Sequence, residues 1–255
     1  MNSPSAHPPD RPSYAELHCH SAFSFLDGAS LPEDLVATAH ELGYAALALT
    51  DHNGLYGSMT FAQAAKPLGL QAITGAEVTL TDGAHLTLLA ETPQGYSNLC
   101  RLLTETHLGA DRLDPRLVFE SLAARQEGLI VLSGSRRDGL LPRTLEAEGL
   151  TAARRLAERC LNVFGRDRFF VELQRNRVRG DLAVSRALMD IAASWRLGVV
   201  ATGDVHYHRR ERHRLHDVQV AIRTRTTLDG SHRARRPNSE FYLRPLEEEI
   251  GRAHV

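Results

Sequence analysis

Cysteine is scarce: only Cys19, Cys100 and Cys160 occur in 255 residues. Three cysteines in a chain of this size make no disulfide framework, which excludes the small stapled secreted domains. Lysine is scarcer still, Lys66 being single among 30 Lys and Arg residues. No stretch of about 18 apolar residues is present, so no transmembrane helix is expected. The first dozen residues carry Pro4, Pro8, Pro9 and Pro12 but neither a basic start nor an apolar core, so no signal peptide is read there. The expected location is the cytoplasm. Neither sign of charge dominates, 30 basic side chains standing against 31 acidic ones. Any contact with nucleic acid must therefore come from a local patch. A hydrophobic content of 42% with 24% charged residues is that of an ordinary globular domain.

What the chain has in number is histidine, 13 in all, and position decides their meaning. Residues 1–13 read as a flexible tail. From Tyr14 onward, short apolar runs alternate with helical patterns, as in βα units. Strands are expected at 14–20, 44–50, 70–80, 85–90, 129–133, 169–173 and 197–202. Helices are expected from Ser30 to Gly43, with Pro32 in the first turn and Glu33 in capping-box spacing, and over 58–68, 95–108, 116–127, 144–164, 181–197 and 211–223. The class is α/β, and this repetition favours a closed (β/α) barrel over an open sheet.

Candidate metal ligands stand where the strands end. His18 and His20 alternate, so both project to one face while Cys19 points the other way. Asp51 and His52 follow the second apolar strand, and Glu77 follows Ile73 in the third. Asp204 and His206 follow the run Val199–Thr202 with the same i, i+2 spacing. In a (β/α) barrel these ends converge on one rim, where active sites are built. Imidazoles and carboxylates together suit zinc, manganese or iron. One His-x-His pair is a weak signal, and Asp-His after a strand can simply cap a helix. Three such pairs, each directly after a strand, are a strong one. Other histidines are read more plainly: His40 and His85 as packing or surface residues, and His208, His213 and His216 as solvated. Glu172, at the end of a strand, is a lesser candidate for the rim.

These motifs, namely His18-Cys19-His20-Ser21, Asp27-Gly28, Thr50-Asp51-His52-Asn53-Gly54, Gly75-Ala76-Glu77 and Asp204-Val205-His206-Tyr207, resemble those of the PHP (polymerase and histidinol phosphatase) family. The likeness extends from about residue 14 to 248. It has the flavour of the amino-terminal domain of bacterial C-family, DnaE-type polymerase alpha subunits, and of their error-prone, damage-associated branch, as in Pro237-Asn238-Ser239-Glu240-Phe241-Tyr242-Leu243. The resemblance implies a distorted seven-stranded (β/α) PHP barrel over 14–208, holding up to three divalent ions at the C-terminal rim of its strands. His18, His20, Glu77 and Asp204 would hold one ion. Glu77 would reach a second with His107, and Asp27, His52 and His206 would hold the third. One departure stands out: Ser135 occupies a position where relatives carry a histidine or cysteine ligand, which puts the second ion in doubt.

The resemblance further implies metal-dependent phosphoester hydrolysis or 3′–5′ exonuclease action for this chain. For a longer parent it implies DNA synthesis in repair and translesion replication, with DNA and other replication or translesion subunits as partners. Nucleotidyl transfer itself would need a palm that these residues have no room for. Residues 209–248 are arginine-rich and read as the end of the PHP region. Arg209, Arg210, Arg223 and Arg225 are candidate DNA contacts, against the plainer reading of a solvated face. Glu249 to Val255 match the in-frame translation of a common sequencing adaptor and are read as foreign to the protein. A free-standing phosphatase of a small phosphate ester and a catalytically silent docking module are the competing classes. Stretch 209–243 argues against the first, and the retained ligand set against the second. An amidohydrolase is disfavoured because many of its binuclear members use a carbamylated lysine at a strand end, whereas Lys66 falls in a helix.

Overall fold

The computed structural model describes residues 14–108 and 114–248. The tail and the adaptor-like ending read from the sequence lie outside these residues. Seven strands form one sheet in sequential order. They are β1 (Ala15–Glu16), β2 (Ala46–Leu49), β3 (Gln71–Thr79), β4 (His85–Ala90), β5 (Leu129–Leu132), β6 (Phe169–Leu173) and β7 (Gly198–Ala201). Helices α1 (Pro32–Glu41), α2 (Ser58–Leu68), α3 (Pro93–Leu108), α4 (Phe119–Ala124), α5 (Leu140–Glu148), α6 (Leu150–Phe164), α7 (Asp181–Trp195) and α8 (His213–Arg223) surround it. Strand β2 is buried at all four positions, as an apolar run covered on both faces should be.

The pairing is mixed. Strands β1–β2–β3 and β5–β6–β7 are parallel, but β4 runs antiparallel to both β3 and β5. The curled sheet closes on itself at the rim. Beyond β1 and β7 the chain forms a parallel bridge between Cys19 and Val205, in which His20 N–H donates to Val205 C=O at 2.7 Å and Val205 N–H to His18 C=O at 2.9 Å. The buried Glu16 carboxylate fastens the same seam, accepting the His18 N–H at 2.9 Å and the Gly203 N–H at 2.8 Å. These edges thus hold the two ends of the candidate site together.

Two local expectations fail for physical reasons. Ser30 does not cap α1: Leu31 is the N-cap residue and makes no side-chain cap, while Ser30 Oγ instead bonds the His208 ring Nδ1 at 2.7 Å. The single helix expected over 144–164 is two helices, broken at Gly149, whose φ of 85° and ψ of 178° no other residue adopts readily. Lys66 lies exposed on α2, so no lysine stands at a strand end. No helix among the described residues is long and apolar enough to cross a membrane.

Candidate metal centre

The ends of β1, β2, β3 and β7 deliver the expected residues to one spot. Three groups of potential ligand atoms form there, each within 4.8 Å of one another: His18, His20 and Asp204; His20, His52 and Glu77; Asp27, His206 and His216. Glu77 ties the first two together. Its Oε2 is 2.8 Å from His52 Nδ1 and 3.7 Å from His20 Nε2, and its Oε1 is 3.5 Å from His18 Nε2. Asp204 Oδ1 lies 3.7 Å from His20 Nε2 and 3.1 Å from His206 Nε2. Asp27 Oδ2 completes the row at 3.2 Å from His52 Nε2 and 3.1 Å from His206 Nδ1. The His20 ring is sandwiched between His52 and His206, with centroids 4.5 and 4.6 Å away.

Three of the six non-glycine residues with positive φ among the described residues lie at or beside the cluster. Leu26, Asn53 and Asp204 have φ values of 58°, 49° and 50°, in the left-handed region that side chains disfavour. Such residues persist only where the surroundings over-determine them, and they concentrate at functional sites. Asp51, adjacent to His52, is not part of the ligand groups. Its carboxylate accepts the Ser21 N–H and hydroxyl at 2.7 and 2.8 Å and the Ser24 hydroxyl at 2.7 Å, fixing the loop that carries Asp27.

Burial works against every charge here, yet the groups hold one another. Burial lowers the basicity of His18, but Glu172 and Glu77 overcome it and the net shift is upward. His52 behaves likewise, with Glu77 and Asp27 outweighing burial to bring it to about 10. Burial raises Glu77 and Asp27, but the neighbouring histidines pull both well below the usual carboxylate range. Asp204 is also lowered, burial being outweighed by Arg236 and His206. His20 goes the other way: burial, His52 and His206 all hold it neutral. His18 Nε2 and His20 Nε2 are buried without a hydrogen-bond partner. Buried imidazole nitrogens are almost always satisfied, and these two face carboxylates across gaps of 3.5–3.9 Å. That donor set fits a divalent cation.

Several residues take roles other than those the sequence suggested. Glu172 accepts a hydrogen bond from His18 Nδ1 at 2.6 Å and also takes the Thr202 hydroxyl and the Gln174 amide, so it orients His18 rather than standing at the rim. His85, read as a packing residue, brings Nδ1 to 3.3 Å from Glu77 Oε1. Since β4 is antiparallel, its first residue lies at the rim where the parallel strands end. His216, read as solvated, is buried beside His206 on α8, and burial takes its pKa down to about 3. His107 stands outside the groups, its Nε2 bonded to the Asn53 carbonyl at 2.6 Å. Ser135 is buried in the turn after β5, with its Oγ 3.5 Å from the Asp138 N–H.

Arginines of the carboxyl-terminal stretch turn inward onto the cluster instead of all facing solvent. Arg223 bonds Asp27 Oδ1, and Arg236 reaches Asp204 Oδ2 at 2.9 Å and contacts His206 Nε2 while stacking on Phe241. Arg210 pairs with Glu240 at 3.0 Å and stacks on Tyr242, and Arg209 pairs with Glu41 at 3.2 Å. Arg225 is exposed with φ 53°.

The chain is 42% identical over 259 residues to an error-prone DNA polymerase of Symbiobacterium thermophilum, covering 94% of this chain and 23% of that protein. It is 37% identical over 252 residues to the DNA polymerase III subunit alpha of Thermus aquaticus, covering 92% of this chain and 20% of the relative. The chain thus spans between a fifth and a quarter of the length of these curated relatives. Among solved structures, an amidohydrolase from Chromobacterium violaceum with bound sulfate and no metal superposes with a TM-score of 0.58 at 18% identity, covering 76% of this chain and 87% of that one. At that identity the likeness is one of fold. A family model for the PHP domain matches residues 16–176, and the chain belongs to the PHP domain family.

Proposed function

We propose that this chain is a metal-dependent phosphoesterase module of the PHP type, acting on a phosphodiester in the manner of a 3′–5′ exonuclease. We further propose that it forms part of an error-prone DNA polymerase, in which it works beside DNA synthesis without carrying nucleotidyl transfer itself. The observation that supports this best is the set of three adjoining ligand groups, built from His18, His20, Asp27, His52, Glu77, Asp204, His206 and His216, with four of their buried imidazole nitrogens left without a hydrogen-bond partner.

A divalent cation held by these residues supplies Lewis-acid polarisation of a phosphate ester and a water acidified toward neutrality. The protein's own groups prepare that chemistry. Glu172 holds His18 with Nδ1 engaged, leaving Nε2 toward Glu77 and Asp204. Glu77 belongs to one ligand group and turns its other oxygen to 3.5 Å from His18 of the neighbouring one, as a carboxylate able to serve two ions would. Arg223 and Arg236 place fixed positive charge beside Asp27 and Asp204, where an anionic ester must approach. A second ion would be the most weakly held, since Ser135 is a poor ligand and His107 has its Nε2 bonded to the Asn53 carbonyl.

His20 belongs to two of the three groups, so His20→Ala should cost metal content and abolish metal-dependent hydrolysis of a labelled oligonucleotide. An unchanged rate in that variant, at equal protein and metal concentration, sinks the assignment.

A further inference from the structure

Beside the cluster lies a feature that phosphoester hydrolysis alone does not require. A cleft of about 320 Å³ opens directly against Asp204 and is walled by Arg136, Arg137, Arg233, Arg235 and Arg236. Its size is at the small end for ligand sites, with room for a phosphate group and its ester but not for a large ring system. The arginines come from two separate segments, the turn after β5 and the stretch that follows α8. Some are pre-set by acids: Arg136 Nη2 pairs with Glu146 at 2.7 Å and Arg235 Nη1 with Asp217 at 2.6 Å. The Nε atoms of Arg136 and Arg235 are nevertheless buried with no hydrogen-bond partner. Arg137 and Arg233 are at the mouth, both exposed. Glu146 and Asp181 temper the charge without cancelling it.

Arg236 belongs to both places, since it lines the cleft and touches Asp204 and His206 of the cluster. A phosphate at the cluster therefore has arginines waiting for its next neighbour along the same molecule. The chain as a whole carries a net charge of −1, so this concentration of guanidinium is local and specific to the site. Phe241 lines the cleft but is covered by the Arg236 guanidinium at 4.8 Å, so no open ring is offered for a base to stack on. Contacts of this kind read a phosphate backbone and not its bases.

We propose that this cleft binds the phosphodiester backbone of a single nucleic-acid strand immediately next to its reacting end. The identity of the reacting end rests on the hydrolase reading above; the binding does not. The test uses metal-free protein and a fluorescein-labelled eight-residue oligothymidylate, followed by anisotropy over a salt series. In the double variant Arg137→Gln/Arg233→Gln, affinity should fall about tenfold. The slope of log affinity against log salt should become shallower by about 1.4, at about 0.7 per lost phosphate contact on a single strand. Arg137→Lys/Arg233→Lys should restore the slope, because the charge returns. Equal affinity and slope in the wild type and the Gln pair overturns the proposal. It is also overturned if inorganic pyrophosphate displaces the strand and is the tighter ligand, which would make the cleft a site for small polyphosphates. A protein that binds the strand through these arginines yet hydrolyses no ester when metal-loaded refutes the hydrolase reading alone. One that hydrolyses esters but ignores the Gln pair refutes the cleft alone.

Discussion

Glu172 offers the sharpest test of how the candidate centre is held. Its carboxylate is buried, accepts the His18 ring at 2.6 Å and gathers the Gln174 amide at 2.8 Å, while Ser133 Oγ accepts its own backbone N–H at 2.9 Å. A carboxylate behind a ligating histidine fixes the tautomer and raises the basicity of the other nitrogen, and losing it typically costs 10–100-fold in metal affinity, about 1.4–2.7 kcal/mol. Glu172→Gln keeps the volume and an oxygen that can accept the His18 N–H but loses the charge, so the lower end, about tenfold, is expected. Glu172→Ala removes the acceptor as well and strands the buried donors, so the upper end is expected together with a loss of stability. Affinity is read by competition with a chromophoric zinc chelator at fixed pH, alongside thermal melts of the metal-free proteins. The pH dependence adds a second readout. The folded protein raises the His18 pKa above its ordinary value through Glu172 and Glu77, despite burial. The resulting stabilisation is fully present below the ordinary histidine pKa and is lost as pH rises through the raised one. The stability gap between wild type and Glu172→Gln in the metal-free state should therefore narrow as pH increases. Zinc affinities of wild type and Glu172→Gln that agree within about twofold, while His20→Ala loses its metal, would refute the orienting role.

Other consequences are simpler to check. Because His52 sits at about 10 in the metal-free protein, metal uptake at pH 7 should release protons and weaken on acidification. Calorimetry in two buffers of different ionisation enthalpy would show this, and a buffer-independent heat would contradict it. Cys19 and Cys160 are fully buried and burial pushes both thiols up, Cys160 to about 12, whereas Cys100 is partly exposed. A thiol reagent should accordingly label one cysteine in the native protein and three in denaturant, and rapid native labelling of two would show that the core opens. Gly149→Ala meets no steric clash but forces a side chain into a conformation reserved for glycine, at a cost of about 1–3 kcal/mol. The melting temperature should drop by a few degrees with metal affinity unchanged; an unaltered melt would mean that the α5–α6 junction relaxes freely.

The parts of the site legible in the sequence were those governed by strand period and strand direction. His18 and His20, Asp204 and His206, and Glu77 each follow an apolar run that forms a parallel strand or leads to the rim, and alternation alone puts each i, i+2 pair on one face. What stayed hidden followed from long-range pairing. His85 opens a strand instead of ending one, and only the antiparallel pairing of β4 with β3, Thr79 opposite His85, carries its ring to Glu77. Glu172 ends an apolar run like a ligand, but whether it meets an ion or the back of His18 depends on the closure of β1 against β7. No local pattern encodes that closure, which is made by Glu16 and by the Cys19–Val205 bridge. The arginine-rich stretch was the hardest case, because charge density reads as a solvated face wherever its counter-charges are distant in sequence. Arg223 finds Asp27 at a separation of 196 residues and Arg236 finds Asp204 at 32. The cluster's carboxylates are what draw those guanidiniums inward, so a variant that neutralises Asp27 and Asp204 together should also loosen residues 223–243. Amide exchange can read that loosening. Protection of the α8–Phe241 segment that survived both Asp→Asn changes would show that apolar contacts of Tyr207, Phe241 and Tyr242 hold it without the charges.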